Sequence, residues 1–205
     1  DRLYPFFGIG LIGLIMIFVN PFFGGINEAI TTFLNSMGST SRVLLGIVVA
    51  GMMAIDMGGP FNKAAYVFGT ASLASGNYEV MAAVMAGGMV PPLAIALAST
   101  FFKNKFTKRE RQSALTNYIM GLSFITEGAI PFAAADPLRV IPSCVIGSAT
   151  AGALTMLFNC ELRAPHGGIF VLPVIGNPLG FLGAVVIGSL VGMIMLALLK
   201  KKVVE

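Results

Sequence analysis

Ionisable and strongly polar residues inside apolar stretches are the features of this sequence that could carry chemistry. They form three groups along the chain: Asp56, Asn62 and Lys63; Glu127, Asp136 and Arg139; and Glu161, Arg163 and His166. A charged side chain is costly in apolar surroundings, so such residues are candidates for function.

Glu127 is the sharpest candidate for catalysis. It lies in the apolar stretch 124–132, where Gly128 and Pro131 break any simple helix. A carboxylate at a helix break can accept a hydrogen bond from a sugar hydroxyl. It can also take the proton when that hydroxyl attacks a phosphoryl group. The structural alternative is a carboxylate that caps a broken helix or pairs with Arg139.

His166 is the single histidine, and it stands between Pro165 and the pair Gly167-Gly168. This setting favours contact with a polar substrate, where the imidazole could orient a hydroxyl or stabilise a phosphoryl oxygen. The alternative is a structural histidine whose ring nitrogens form hydrogen bonds within the protein. One histidine without a cysteine pair makes a weak ligand set, so no metal is predicted. The sequence has no Walker-type phosphate loop, so no nucleotide cofactor is predicted either.

Two pairs among the remaining polar residues allow both a structural and a functional interpretation. Asp136 and Arg139 form either an ion pair at a helix start or a phosphate-binding site, since a guanidinium suits phosphoryl oxygens. Asp56 and Lys63 allow the same two interpretations. The loop that contains them and Asn62 is interpreted as lining a cavity, with Asn62 donating to a sugar hydroxyl. Glu161 and Arg163 resemble an interfacial pair.

The composition indicates an integral membrane protein. Of 205 residues, 56% are hydrophobic and 11% are charged, and the mean hydropathy is +0.87. A soluble domain carries about 25% charged residues. These values exclude a disordered chain, a nucleic-acid-binding module and a disulfide-stapled secreted domain.

The hydrophobic pattern predicts an all-α polytopic membrane protein. Predicted transmembrane helices cover residues 4–23, 42–58, 80–102, 138–158 and 179–199, and an amphipathic helix over 26–37 lies at the membrane interface. Proline and glycine break two further apolar segments, at about 113–135 and 163–177. Both are predicted to be re-entrant hairpins, because broken backbone at membrane depth is tolerated only in protein or beside a cavity.

Two basic clusters predict the orientation. Residues 103–111 and 200–202 are rich in lysine and arginine, and the positive-inside rule places both in the cytoplasm, together with the C-terminus. No cleavable signal peptide is predicted. The abrupt apolar start after Asp1 suggests that residue 1 is not the natural N-terminus.

Five stretches in one order resemble a known family. They are residues 56–65, 89–94, 126–133, 136–140 and 164–168. The sequence resembles the IIC membrane component of fructose-type permeases of the bacterial phosphoenolpyruvate-dependent sugar phosphotransferase system (PTS). By this resemblance the chain is the C-terminal, site-bearing part of a IIC domain in the bacterial inner membrane, expected to form homodimers.

The resemblance implies group translocation of a hexose, with fructose expected. The protein would bind the sugar and present it to a IIB partner phosphorylated on cysteine, so that sugar phosphate is released in the cytoplasm. IIA would be a further partner. IIA and IIB are fused or separate. Glu127 would hold the hydroxyl that is phosphorylated, and His166 and Gly167 would lie nearby. Asn62, Lys63, Asp136 and Arg139 would complete the substrate site.

Two other classes of function stay open on the residues alone. In an ion-coupled secondary sugar transporter, Glu127 or Asp136 would carry a proton. In a non-catalytic membrane sensor or scaffold, the sugar would bind without turnover. The internal carboxylates do not separate these classes, whereas the ordered motifs favour the phosphotransferase.

Overall fold

The computed structural model describes residues 42–203 continuously, together with residues 9–14, 17, 21 and 32, which are helical. The predicted span over 4–23 and the amphipathic helix over 26–37 lie largely outside the described residues. Both stay predictions.

Residues 42–203 are predominantly helical, as the sequence predicts for an all-α protein. We number the helices α1 (Arg42–Ile55), α2 (Pro60–Ala74), α3 (Tyr78–Phe101), α4 (Lys108–Leu122), α5 (Ile130–Ala135), α6 (Pro137–Leu157) and α7 (Pro178–Leu199). Short 3-10 segments cover Lys103–Lys105, Thr126–Ala129 and Gly168–Val174. Between residues 42 and 203, an isolated bridge from Leu162 to Ile175 is the only β-pairing.

Helices α3, α6 and α7 are long and apolar enough to cross a bilayer. They contain 24, 21 and 22 residues, and at about 1.5 Å per residue each matches a hydrocarbon core of about 30 Å. Their bounds agree within two residues with the predicted spans 80–102, 138–158 and 179–199.

Helix α1 is shorter than the predicted segment 42–58. It ends at Ile55 because Met57 has φ 48° and Gly58 has φ 122°, which turns the chain toward α2. The second of these backbone conformations favours glycine, which lacks a Cβ. The predicted segment therefore combines a helix with the turn that follows it.

Helix α3 is the centre of the bundle, and small residues let its neighbours approach closely. A Cβ added at Gly87 would lie 2.6 Å from Cα of Ala50 on α1. On the next pair of helices, a Cβ at Gly46 would lie 2.5 Å from the carbonyl oxygen of Gly152. Small residues at such contacts are typical of helix packing in membranes.

Adjacent prolines interrupt the hydrogen bonding of α3. Pro91 and Pro92 have no N–H, so the carbonyls of Gly87 and Gly88, four residues earlier, lose their helical donors. Side chains from other segments replace these donors. Ser148 Oγ donates to Gly87 O at 2.7 Å, and Thr126 Oγ1 donates to Gly88 O at 2.9 Å. Two polar contacts therefore dock α6 and the Thr126 segment onto the middle of α3.

The first hairpin, residues 108–135, enters from the Phe101 end of α3. Its tip reaches the middle of that helix, where Thr126 meets Gly88. The chain then returns to the Phe101 end of α3, where the Phe132 ring packs edge-on against Phe106 with a centroid distance of 6.5 Å. This hairpin contains the broken segment predicted at 113–135.

The second hairpin, residues 160–177, enters from the opposite end. Leu162 N donates to Tyr78 O at 3.1 Å, and Gly176 N donates to Glu161 O at 2.7 Å, so both ends of the hairpin lie beside the start of α3. Its turn reaches inward to Phe124. The predicted broken segment 163–177 lies within it.

The two basic clusters lie together at the Phe101 end of α3. Lys200 Nζ is 3.3 Å from Glu110 Oε1, Lys105 Nζ donates to Lys200 O at 2.5 Å, and Val203 N donates to Asn104 O at 2.9 Å. Loop 103–111 and tail 200–202 are therefore on one side of the bundle, as the charge pattern predicts.

Candidate functional site

A cavity of about 300 Å³ opens where the two hairpin tips meet the turn between α1 and α2. Its walls are formed by Met53, Asn62, Lys63, Tyr66, Phe124, Ile125, Thr126, Glu127 and His166. The volume is at the small end of the range for ligand pockets, about 300–1,000 Å³. Four residues that the sequence singles out, Asn62, Lys63, Glu127 and His166, therefore share one cavity.

Glu127 lies in the 3-10 segment Thr126–Ala129, just after a turn in which Phe124 has φ 62°. Its side chain is exposed at the cavity, and within residues 42–203 no hydrogen bond or ion pair engages the carboxylate. A Cβ at Gly58 would lie 3.1 Å from Glu127 Oε1, so the turn after α1 borders the carboxylate closely. The pairing with Arg139 considered for Glu127 does not occur, and the carboxylate is available to a ligand.

Asn62 and Lys63 lie in the first turn of α2, where Asp56 fixes their position. The Asp56 carboxylate accepts hydrogen bonds from the backbone N–H of Phe61 at 2.7 Å and of Asn62 at 2.9 Å. These bonds satisfy helix N–H groups that have no partner inside α2, and a carboxylate is favourable there. Asp56 is thus a structural residue that orients the turn carrying its two neighbours.

The amide of Asn62 is buried and joins α2 to α1. Its Nδ2 donates to Met53 O at 2.8 Å, across the turn between the helices. Lys63, the next residue, has an exposed side chain at the cavity. A hydrogen bond therefore holds Asn62 at the base of the cavity, whereas within residues 42–203 no hydrogen bond or ion pair engages the ammonium of Lys63.

An aromatic row crosses the cavity and ends at His166. The ring centroids of Tyr66 and Phe124 are 6.3 Å apart, and those of Phe124 and His166 are 5.0 Å apart. Sequence reasoning did not select Tyr66 or Phe124. A signal existed for Tyr66, since it stands four residues after Asn62 on the same face of α2.

Thr126 is a second functional candidate that sequence reasoning missed. Its hydroxyl holds the tip of the first hairpin on Gly88 O, and it borders Glu127 in the cavity wall. The signal was Pro92, which stands four residues after Gly88 and removes the helical donor for that carbonyl.

Gly167 and Gly168 shape the turn of the second hairpin and do not line the cavity. They have φ 132° and φ 60°, and a Cβ at Gly167 would lie 2.6 Å from Val171 Cγ1. Glycine is the residue that tolerates such backbone. A direct contact between Gly167 and substrate stays a prediction.

Asp136 and Arg139 bind each other at the start of α6. Arg139 Nη1 lies 2.9 Å from Asp136 Oδ1 and 3.0 Å from Oδ2, and neither residue lines the cavity. Their predicted contact with substrate also stays a prediction. Glu161 and Arg163 form an exposed pair at 3.4 Å, at the end of the second hairpin.

Comparison with known proteins identifies the family of the chain. The profile of the family described as "Phosphotransferase system, EIIC" matches residues 2–147. The chain is 54% identical over 204 residues to the "PTS system fructose-specific EIIABC component" of Bacillus subtilis (strain 168), covering 99% of this chain and 32% of that protein. It is equally 54% identical over 204 residues to the "Fructose permease IIC component" of Bacillus amyloliquefaciens, covering 99% of this chain and 67% of the relative.

A third relative is the "PTS system fructose-specific EIIB'BC component" of Escherichia coli (strain K12), 47% identical over 199 residues, which cover 95% of this chain and 35% of that protein. The chain thus spans about a third of the relatives named as multi-component proteins. No solved structure matches it significantly. Because the family profile covers most of the chain, including Glu127 and the prolines of α3, this membrane protein belongs to the EIIC family of the phosphotransferase system.

Proposed function

We propose that the chain binds a hexose in the cavity between the hairpin tips and presents it for phosphorylation by a IIB partner. The observation that carries this proposal is the Glu127 carboxylate, which has no partner in residues 42–203 and faces a small cavity beside Lys63 and His166. Fructose is the proposed sugar, because the similar proteins named above are fructose-specific by name.

The position of the cavity along α3 supports transport. The hairpin tips meet near Gly88, in the middle of a helix that runs from Tyr78 to Phe101. Substrate sites of many transporters lie near the bilayer midplane, where broken segments meet. We therefore propose that both hairpins are re-entrant and that the sugar is held halfway across the membrane.

The chemistry proposed for the site is general-base catalysis. The Glu127 carboxylate takes the proton of the sugar hydroxyl while its oxygen attacks the phosphorus of a phosphocysteine on the IIB partner. The phosphorus–sulfur bond breaks and the cysteine leaves as a thiolate. His166 donates a hydrogen bond to a phosphoryl oxygen, and Lys63 offsets the developing negative charge.

The cellular arrangement follows from the same proposal. The names EIIABC and EIIB'BC of the relatives describe further PTS components, so we propose that IIA and IIB act with this chain, on one polypeptide or several. The basic end of the bundle, which includes the C-terminal tail, faces the cytoplasm of a bacterial cell by the positive-inside rule. A homodimer in the inner membrane is the proposed assembly.

The test uses inside-out vesicles that hold the full-length protein. Phosphoenolpyruvate, the soluble phosphocarrier proteins and labelled fructose are added, and labelled sugar phosphate is measured. The proposal expects product that depends on phosphoenolpyruvate and persists when the proton gradient is collapsed. Uptake of unmodified sugar that requires the gradient would assign the cavity to secondary transport, and binding without turnover would assign it to a sensor.

A further inference from the structure

A second cavity, of about 330 Å³, lies at the basic end of the bundle, far from Glu127 along α4. Its walls are formed by Ser99, Thr100, Lys103, Lys108, Arg111, Gln112 and Leu115. Three of these side chains carry a positive charge and none is acidic. The charge at this cavity therefore favours an anion over a cation.

Two of the three cations at this cavity, Lys103 and Arg111, are not paired with the nearby acid. Glu110 is the carboxylate of the adjoining helix turn, and it accepts from Thr107 N at 2.8 Å and lies 3.3 Å from Lys200 Nζ. In the part of the chain from residue 42 to 203, no ion pair engages Lys103 or Arg111. A guanidinium and an ammonium on one concave surface suit the oxygens of a phosphate.

An apolar groove of about 240 Å³ begins one helical turn deeper on the same face of α3 and α4. Leu97 and Tyr118 line it at this end, and it continues between α3 and α7 past Val186. Thr100 Oγ1 and Tyr118 Oη, 2.8 Å apart, form the boundary between the basic cavity and the groove. Apart from Tyr118 and Ser189, the side chains that line the groove are apolar.

We propose that these two cavities form one binding site for an anionic phospholipid. The headgroup phosphate lies against Lys103 and Arg111, and an acyl chain occupies the groove beside Leu97 and Val186. The positive charge of the cavity at the basic end matches the headgroup of such a lipid, and the apolar groove matches its acyl chain. Basic pockets at the cytoplasmic ends of membrane helices bind lipid headgroups in this manner.

The test measures lipid retained by the purified full-length protein. Native mass spectrometry follows titration with dioleoyl phosphatidylglycerol, and with dioleoyl phosphatidylcholine, which has the same acyl chains and no net charge. The proposal expects a lower Kd for phosphatidylglycerol. One cation near an anionic headgroup contributes about fivefold in affinity, so the K103Q/R111Q variant should raise that Kd about 25-fold.

Two further variants separate the parts of the site. K201Q/K202Q removes the same charge from the exposed tail and should change the Kd less than threefold. Val186→Trp fills the groove without altering a charge, and it should weaken phosphatidylglycerol binding while the protein keeps its melting temperature.

Several results would overturn the proposal. Equal affinity for the two lipids would show that the headgroup charge is not recognised. An equal loss of phosphatidylglycerol affinity in the two charge variants would show that general surface charge, not this site, attracts the lipid. Competition by glycerol 3-phosphate at the concentration at which phosphatidylglycerol binds would make it a site for a soluble phosphate. Normal lipid binding by K103Q/R111Q, with lost binding of the phosphorylated IIB component, would make it a protein-docking surface.

Discussion

The imidazole of His166 packs against the ring of Phe124 with 5.0 Å between their centroids, and this contact joins the tips of two hairpins that enter the bundle from opposite ends. Glu127 follows Phe124 by three residues and lines the same cavity as His166. The site therefore exists only when both hairpins are in place. A movement of either one would separate the proposed base from the proposed phosphoryl-binding group.

Replacing Glu127 with Gln tests the proposed general base. The amide keeps the size of the side chain but takes no proton, and loss of a general base lowers the rate about 10²–10⁴-fold. We expect phosphoenolpyruvate-dependent formation of sugar phosphate in vesicles to fall by this factor, with an unchanged melting temperature. Glu161→Gln, which removes a carboxylate from an exposed pair outside the cavity, is the matched control. Near-normal activity of Glu127→Gln would refute the assignment.

Replacing Thr126 with Val tests the polar contact between the first hairpin and α3. The change leaves the Gly88 carbonyl without a donor, and an unsatisfied buried group costs about 1–3 kcal/mol. We expect a lower melting temperature, restored by Thr126→Ser. In the control Thr150→Val, the lost hydroxyl bonds only to Ile146 O of its own helix and is exposed, so little change is expected. Equal melting temperatures for both valine variants would show that Gly88 O finds another donor.

Replacing Gly88 with Ala tests how tightly the hairpin tip packs on α3. A Cβ there would lie 2.5 Å from Phe124 Cε2 and 2.9 Å from Thr126 Oγ1. Overpacking of this kind costs about 1–3 kcal/mol, and it would push the Phe124 ring toward the cavity. We expect weaker sugar binding and a lower melting temperature. At Gly183, inside α7, a Cβ meets nothing within 4 Å, so Gly183→Ala should leave sugar binding unaffected and should not lower the melting temperature.

The paired replacements Asp136→Asn and Arg139→Gln decide whether these residues contact the substrate. Their side chains are 16% and 35% exposed and bind each other, and partly exposed ion pairs contribute about 0–1 kcal/mol. If they only hold the start of α6, each variant should change the Kd for fructose less than threefold. A tenfold or larger increase at unchanged stability would establish the direct contact that the sequence predicts.

Part of the fold is readable from local sequence. Long, predominantly apolar segments place α3, α6 and α7 within two residues, because a helix that crosses a bilayer must be long and apolar. The predicted segment 42–58 ends three residues too late, because Asp56 and Gly58 mark a break near its end and only the backbone shows that the helix stops at Ile55. Charge patterns correctly predicted that loop 103–111 and tail 200–202 share one side.

The sequence by itself determined the class of the protein and the set of candidate functional residues. Scarce charge requires a membrane environment, and Glu127 and His166 are identifiable because a polar residue in an apolar stretch is costly. Only the tertiary structure decided which of these residues act together. It placed Glu127 and His166 on one cavity and left Asp136 bound to Arg139 outside it. It also brought Tyr66 and Thr126 into the cavity wall. Such residues are distant in the chain, and they meet because the prolines of α3 leave two carbonyls without helical donors. Thr126 at the hairpin tip binds one of these carbonyls, that of Gly88.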